Sequence, residues 1–115
     1  MDYIYKIRVT RVIDGDTIDA DIDLGFDTKL SKRIRLHGID TPEVRTRDKN
    51  EKKRGLAAKA RLIEIIEGSD YELYLQSMDK GKYGRCVGVL FERDFDDESI
   101  NDTLLNEGHA VPYGK

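Results

Sequence analysis

The chain has 115 residues, a formal net charge of -3 and a single cysteine. This is the length of one small domain that can bury a core without cross-links, and one cysteine excludes an intramolecular disulfide and a cysteine-based zinc site. With 37% charged residues and a mean hydropathy of -0.62, the chain has nothing like the run of roughly 18 apolar residues that a membrane helix needs. We expect one domain over residues 1–115, monomeric and outside the membrane.

Three strands are predicted at the start of the chain. Residues 3–13 are rich in β-branched and aromatic side chains, and residues 17–24 strictly alternate apolar and polar residues. Asp14-Gly15 predicts a hairpin between them, and residues 32–39 follow as a third strand. This charged, alternating start lacks the basic and apolar segments of a signal peptide. We therefore expect a cytoplasmic protein, or a secreted one if a signal has been removed.

The remaining chain predicts two helices and two more strands. A polar loop over residues 40–53 precedes a helix over residues 54–67, whose apolar stripe is Leu56, Ala60 and Ile63, widened by Ala57, Leu62 and Ile66. Strands 71–78 and 85–91 flank a glycine-bearing turn, and a short helix begins at the N-cap Ser99 and ends at Gly108. The order β-β-β-α-β-β-α predicts an α+β, mainly β fold: a five-stranded Greek-key barrel of the OB type.

Carboxylates stand where two of these strands begin and end. Asp16 is in phase with the apolar residues of the second strand, so its side chain is predicted to point to the buried side. Asp40 and Glu43 leave the third strand. Two carboxylates about 4 Å apart repel by roughly 4 kcal/mol at an effective dielectric near 20. A cluster of these acids therefore needs a cation, either an arginine (Arg35 or Arg85) or a metal, and oxygen ligands favour Ca²⁺ or Mg²⁺.

Charge is polarised along the chain. Residues 45–61 hold eight Lys or Arg and two acids, whereas residues 92–107 hold seven acids and one arginine. Each run is interpreted either as a solvated face or, for the basic one, as a path for a nucleic-acid backbone.

Three motifs are shared, in order and at similar spacing, with one protein family. The segments VIDGDTIDA, RIRLHGIDTPE and KGKYGRCVGVL resemble those of the staphylococcal nuclease (thermonuclease) family, and the likeness runs from about Val9 to Tyr113. The resemblance implies an OB-fold barrel that hydrolyses DNA and RNA phosphodiesters with Ca²⁺, leaving 5′-hydroxyl and 3′-phosphate ends.

The resemblance also implies a set of metal and catalytic residues. Asp16 and Asp40 bind Ca²⁺ through their carboxylates, and Thr41 contributes its backbone carbonyl. The scissile phosphate is held by arginines at positions 35 and 85, and a glutamate at position 43 acts as general base or orients the attacking water. Two arginines and a cation suit this reaction because phosphodiester hydrolysis adds negative charge to the phosphorus.

Three further residues are expected to contact the nucleic acid. The resemblance implies that Lys82 and Tyr83 contact a terminal phosphate, and that Tyr113 either stacks on a nucleobase or is a plain surface tyrosine. The alternative function is a non-catalytic OB-fold module that binds nucleic acid or protein. Such modules lose acidic ligands or arginines, whereas this sequence retains the complete set, which favours the enzyme.

Overall fold

A computed structural model describes residues 3–78, 86–93 and 98–113 of the chain. Within these ranges the elements are β1 (Ile4–Asp14), β2 (Thr17–Asp23), β3 (Lys29–Leu36), β4 (Ile39–Asp40), α1 (Lys49–Gly68), β5 (Glu72–Ser77), β6 (Cys86–Phe91), α2 (Ile100–Asn106) and β7 (Val111–Pro112). In this part of the chain no helix is long and apolar enough to cross a membrane.

Five strands close into a barrel in the order β1-β2-β3-β6-β5. All neighbours are antiparallel except β3 and β6, which run parallel because the chain returns through α1 and β5 before reaching β6. This confirms the predicted mainly β fold with a five-stranded barrel of the OB type. In the β2–β3 register Thr17 faces Arg35, so the end of β3 lies beside the start of β2.

The alternation of β2 supplies one wall of the core. Ile18, Ala20 and Ile22 are buried inside the barrel. Leu24, which continues the same alternation, is 44% exposed because β2 ends at Asp23 and the chain turns there. The core is completed by apolar residues of the other strands and by the buried faces of α1 and α2.

Helix α1 begins five residues earlier than predicted, and the predicted loop over residues 40–53 is therefore wrong over its last five residues. Asp48 caps the helix, since its side chain accepts hydrogen bonds from the backbone N–H groups of Asn50 and Glu51. The extra turn is polar and exposed on most sides. A pattern of apolar residues cannot detect a turn of helix that buries no apolar side chain.

The buried face of α1 also differs from the predicted stripe. Its buried residues are Gly55, Ala58, Leu62, Ile65 and Ile66. Leu56 is 45% exposed, and Ala57 and Ala60 are exposed as well. Small residues occupy the N-terminal half of the buried face because the helix approaches neighbouring backbone closely there. Counting apolar side chains gives too little weight to glycine and alanine at such a contact.

The predicted third strand over residues 32–39 is interrupted. β3 ends at Leu36, and Gly38 adopts a positive φ of 78°, after which Ile39 and Asp40 form β4. β4 pairs antiparallel with β7, which was not predicted, and the Tyr113 N–H then donates to the Gly38 carbonyl at 2.9 Å. These contacts tie the segment after α2 to the residues that follow β3.

Helix α2 has the predicted cap and end. The Ser99 side chain accepts from the Asp102 N–H at 3.0 Å, and Gly108 has a positive φ of 80° just after the helix. Beyond α2, Glu107 receives two hydrogen bonds from Arg61 of α1, at 2.7 and 2.9 Å. This two-pronged ion pair connects α1 to the end of α2.

The ion pair between Arg61 and Glu107 predicts an acid-dependent stability. Hydrogen bonds from Arg61 lower the pKa of Glu107 below its ordinary value of 4.5. The unfolded chain therefore binds a proton more readily, so the stabilisation is present above pH 4.5 and is lost as the pH falls below it. Urea unfolding of Glu107→Gln at several pH values should show a shallower loss in acid than the wild type. Since both groups are near the surface, the difference should shrink in high salt.

Glu67→Gln is the matched control, because Glu67 lies on α1 and accepts from the Tyr71 hydroxyl instead. If Glu107→Gln and the wild type have parallel acid profiles at low salt, the pair does not stabilise the fold.

Candidate active site

Asp16 lies at the mouth of the barrel with only 7% of its surface exposed, which confirms the predicted inward orientation. One carboxylate oxygen, Oδ1, accepts from the Thr17 hydroxyl at 2.9 Å. The other, Oδ2, accepts from the Thr41 backbone N–H at 3.1 Å. The Leu36 N–H donates to the Asp16 carbonyl at 2.8 Å. A buried carboxylate needs such partners, and here they connect the start of β2 to the segment after β4.

Arg35 lies between two acids. Its Nη1 is 2.5 Å from Oδ2 of Asp16, and its Nη2 donates to Oδ1 of Asp40 at 3.4 Å. The β2–β3 register explains the first contact, since Arg35 is opposite Thr17 and so adjacent to Asp16. The guanidinium is largely buried, with 21% of the side chain exposed. Of the two arginines predicted as partners for these acids, Arg35 pairs with both, and Arg85 lies outside the described residues.

Within residues 3–78, 86–93 and 98–113, Arg35 offsets only part of the charge of the two carboxylates. Partial burial raises the pKa of Asp40 above its ordinary value, and the nearby charge of Asp16 raises it further, against the opposing effect of Arg35. Among the described contacts, one guanidinium supplies one positive charge to two carboxylates in a partly dehydrated place. Glu43 is not part of this contact, and the described residues contain no cluster of three or more acids, histidines or cysteines suited to a metal.

The donor set nevertheless fits a hard divalent cation. Asp16, Asp40 and Thr41 offer oxygen atoms only, which suits Ca²⁺ or Mg²⁺. One buried polar atom at this place, Thr41 Oγ1, makes no hydrogen bond within the described ranges. A hydroxyl oxygen with free lone pairs beside two carboxylates is a further oxygen donor of the kind that such a cation accepts.

Glu43 lies next to this centre, on the wall of a groove. The groove has a volume of about 560 Å³ and runs between residues 40–43, the N-terminal half of α1 and residues 108–111. Its polar walls include Glu51 and Arg54 of α1 and His109 after α2. The backbone N–H of Glu43 donates to Oε2 of Glu51 at 3.1 Å. The groove places an exposed acid within the same opening as Asp40 and Thr41.

Tyr113 lies over the guanidinium of Arg35. The Arg35 Cζ is 5.3 Å from the centre of the Tyr113 ring, and the tyrosine is 60% exposed. The distance is that of a cation–π contact. The contact places Tyr113 beside Arg35, and its stacking on a nucleobase stays a prediction. Arg85, Lys82 and Tyr83 lie outside the described residues, so their roles stay predictions.

Several residues that organise the site were missed at the sequence level. Gly15 packs so tightly that a Cβ atom would come within 2.8 Å of the Ala58 Cβ. Glu51 and Gly55 of α1 contact the backbone at Glu43, and Asn101 is buried and holds three backbone groups. The available signals were weak: an acid inside a basic run, a glycine inside a helix, and an asparagine on an apolar helix face.

Comparison with known proteins finds relatives that are named as nucleases. Residues 33–115 match the family model described as staphylococcal nuclease homologue. The chain is 36% identical over 102 residues to the thermonuclease of Staphylococcus intermedius, covering 89% of this chain and 56% of the relative. It is 33% identical over 81 residues to a probable staphylococcal-like nuclease, CAN1, of Oryza sativa subsp. japonica, covering 70% and 21%. The micrococcal nuclease of Shigella flexneri is 27% identical over 115 residues, covering 95% and 59%.

The chain thus spans somewhat over half of each of these bacterial relatives and a fifth of the plant one. The family match covers most of the chain, including the end of β3, the Asp40–Glu43 segment and both helices. Together with the barrel, and with Asp16, Arg35 and Asp40 in contact at its mouth, it identifies the chain as a member of the staphylococcal nuclease homologue family.

Proposed function

We propose that the chain is a Ca²⁺-dependent nuclease that hydrolyses phosphodiester bonds of DNA, RNA or both, leaving 5′-hydroxyl and 3′-phosphate ends. The observation that carries the proposal is the contact of Arg35 with both Asp16 and Asp40, beneath the ring of Tyr113. It combines a largely buried phosphate-binding cation with oxygen ligands for a metal and an aromatic surface for a base. Membership in a family whose relatives are named as nucleases supports the same activity.

Asp16 and Asp40 would hold the cation, with the backbone carbonyl of Thr41 as a third ligand. When bound, Ca²⁺ supplies positive charge to a phosphate oxygen and offsets the charge that the two carboxylates leave uncompensated. Arg35 keeps further N–H groups for the phosphate, because a guanidinium has five donors and its contacts with the two acids occupy only part of them. The charge that develops on the phosphate oxygens would be stabilised by Arg35 and by Arg85.

Glu43 would position the water that attacks the phosphorus. The water's oxygen forms a bond to phosphorus as the bond from phosphorus to the 5′-oxygen breaks in line with it. Glu43 accepts the proton that the water loses, and the 5′-oxygen leaves as a hydroxyl after taking a proton from solvent. Holding water in line is the main contribution of such a residue, since geometry alone governs a large part of the barrier.

The basic run gives the substrate a route to the site. Arg45, Arg47, Lys49, Lys52 and Arg54 are exposed on the loop after Glu43 and on the first turns of α1. Arg54 also lines the groove that contains Glu43. A nucleic-acid backbone would be attracted to this side of the molecule by phosphate contacts that carry no sequence information.

The proposal predicts cleavage that depends on Ca²⁺ and on Asp40. Purified protein should cleave single-stranded DNA with Ca²⁺ and not with a chelator, and Mg²⁺ should support little turnover because its octahedral preference suits a loose carboxylate site poorly.

Asp40→Asn should need much more Ca²⁺ for half-maximal activity. Asp19→Asn is the matched control, since Asp19 is on the outer face of β2, paired with Arg33. End-labelling of the products should detect 3′-phosphates.

The outcomes separate the candidate functions. Cleavage that persists in the chelator contradicts the metal assignment, and 5′-phosphate products contradict the proposed direction of bond breaking. If neither DNA nor RNA is cleaved with any divalent ion although both bind, the chain is the non-catalytic binding module.

A further inference from the structure

The N-terminal half of α1 packs directly against the backbone that carries Glu43. A Cβ atom added at Gly55 would come within 2.7 Å of two backbone carbonyl oxygens, those of Pro42 and Glu43. Real Cβ atoms do not approach oxygens so closely, and neither oxygen belongs to a flexible side chain. Gly55 therefore permits a helix-to-loop contact that any other residue would push apart.

A second contact from the same helix holds the same segment. Glu51, one turn before Gly55, accepts the Glu43 N–H through Oε2 at 3.1 Å. The N-cap Asp48 in turn accepts the Glu51 N–H at 3.2 Å, which fixes the start of the helix that carries Glu51. Glu43 itself belongs to neither a helix nor a strand. The position of its backbone is therefore set by α1 rather than by regular structure of its own.

We propose that Glu51 and Gly55 are positioning residues for Glu43, an inference that rests on the proposed nuclease function. Glu51 holds the amide of Glu43, and Gly55 sets how near to α1 the adjoining carbonyls lie. Neither residue touches the reacting atoms. Because a water-positioning acid must be held within a fraction of an ångström, small displacements of this segment reach the chemistry directly.

Gly55→Ala is the sharpest test. Alanine favours the helix, so any loss of function cannot come from a weaker helix propensity. We expect kcat on single-stranded DNA to fall about a hundredfold, as for a 1 Å misplacement, while KM changes little. Gly68→Ala is the matched control, since a Cβ at Gly68, in the same helix, meets nothing within 4 Å. This control should keep the kcat of the wild type.

A double-mutant cycle separates positioning from general damage. In a Glu43→Ala background, Gly55→Ala should cause no further loss of the residual activity, because there is no carboxylate left to misplace.

Glu51→Ala should lower kcat as well. Glu51→Gln should lower kcat less than Glu51→Ala does, since a glutamine side-chain oxygen can still accept the Glu43 N–H. An equal effect of Gly55→Ala with and without Glu43 would overturn the proposal.

Hydrogen exchange gives a result that does not depend on activity. The Glu43 amide should be protected in the wild type and lose protection in Glu51→Ala, with melting temperatures compared in parallel.

If the wild type cleaves nothing, the nuclease function fails while the exchange result still stands. If the wild type is active, the Glu43 amide is protected, and both Glu51→Ala and Gly55→Ala retain full kcat, the positioning role alone is wrong. Should Gly55→Ala not fold, the two Glu51 variants decide the question.

Discussion

Arg35→Lys is expected to lower kcat for nucleic-acid cleavage by about a hundred- to a thousandfold, the usual loss when one transition-state donor is removed. Two different nitrogens of Arg35 reach two different carboxylates, and the guanidinium also lies beneath the ring of Tyr113. A lysine ammonium is a single point of charge, so it cannot reproduce the planar arrangement of several N–H donors that a guanidinium offers. Measurement of kcat and KM at saturating Ca²⁺ should place the loss mainly in kcat.

Arg33→Lys is the matched control. Arg33 is on the same strand two residues earlier, and it pairs with Asp19 on the outside of the barrel through two nitrogens. The same chemical change there should leave kcat within a factor of about two, because surface ion pairs contribute little. Near-normal turnover of Arg35→Lys would remove Arg35 from the phosphate-binding role. Affinity for Ca²⁺ should survive the change, since Asp16 and Asp40 remain.

Asn101→Ala is expected to cost about 3 kcal/mol of unfolding free energy, because it removes the side-chain partner of one buried N–H and of two backbone carbonyls. The Asn101 side chain accepts from the Leu90 N–H at 3.0 Å and donates to the His37 carbonyl at 2.9 Å and the Gly88 carbonyl at 3.3 Å. Asn101 is only 3% exposed, so water cannot readily replace these contacts. The side chain joins α2 to β6 and to the turn between β3 and β4.

Urea unfolding measures this effect, and a loss of that size is a large part of a small domain's stability. Asn106→Ala is the control, because Asn106 is on the same helix, exposed, and donates to Glu98 at the surface. It should change stability by less than about 0.5 kcal/mol. If Asn101→Ala is as stable as this control, the hydrogen bonds of the buried Asn101 amide do not stabilise the packing of α2 against the barrel.

Local patterns were sufficient for most of the barrel. The alternation in β2 predicted the buried face, and with it the inward orientation of Asp16, because side chains in a strand point to opposite faces in turn. The cap of α2 was also readable, since Ser99 and Asp102 stand at the spacing that a helix start requires. Both features depend only on residues that are neighbours in the chain.

The start of α1 and the two-stranded sheet of β4 and β7 could not be predicted from local patterns. The first turn of α1 buries no apolar side chain, and β4 and β7 are each two residues long. These elements depend on partners elsewhere in the sequence. β4 pairs with β7, and Gly55 packs on the backbone of Pro42 and Glu43. A short stretch of sequence contains only one of the two partners of each contact, so it cannot reveal the contact.

The sequence by itself determined the succession of the five barrel strands and two helices, the inward-facing Asp16, and a segment in which two acids and a proline follow a strand that contains Arg35. It left open whether these acids pair with an arginine or need a metal. The tertiary structure decided that Arg35 lies between Asp16 and Asp40, that Tyr113 covers Arg35, and that α1 holds the backbone of Glu43. Side-chain periodicity is a local property, whereas these contacts depend on strand register and on how closely a helix can approach a loop.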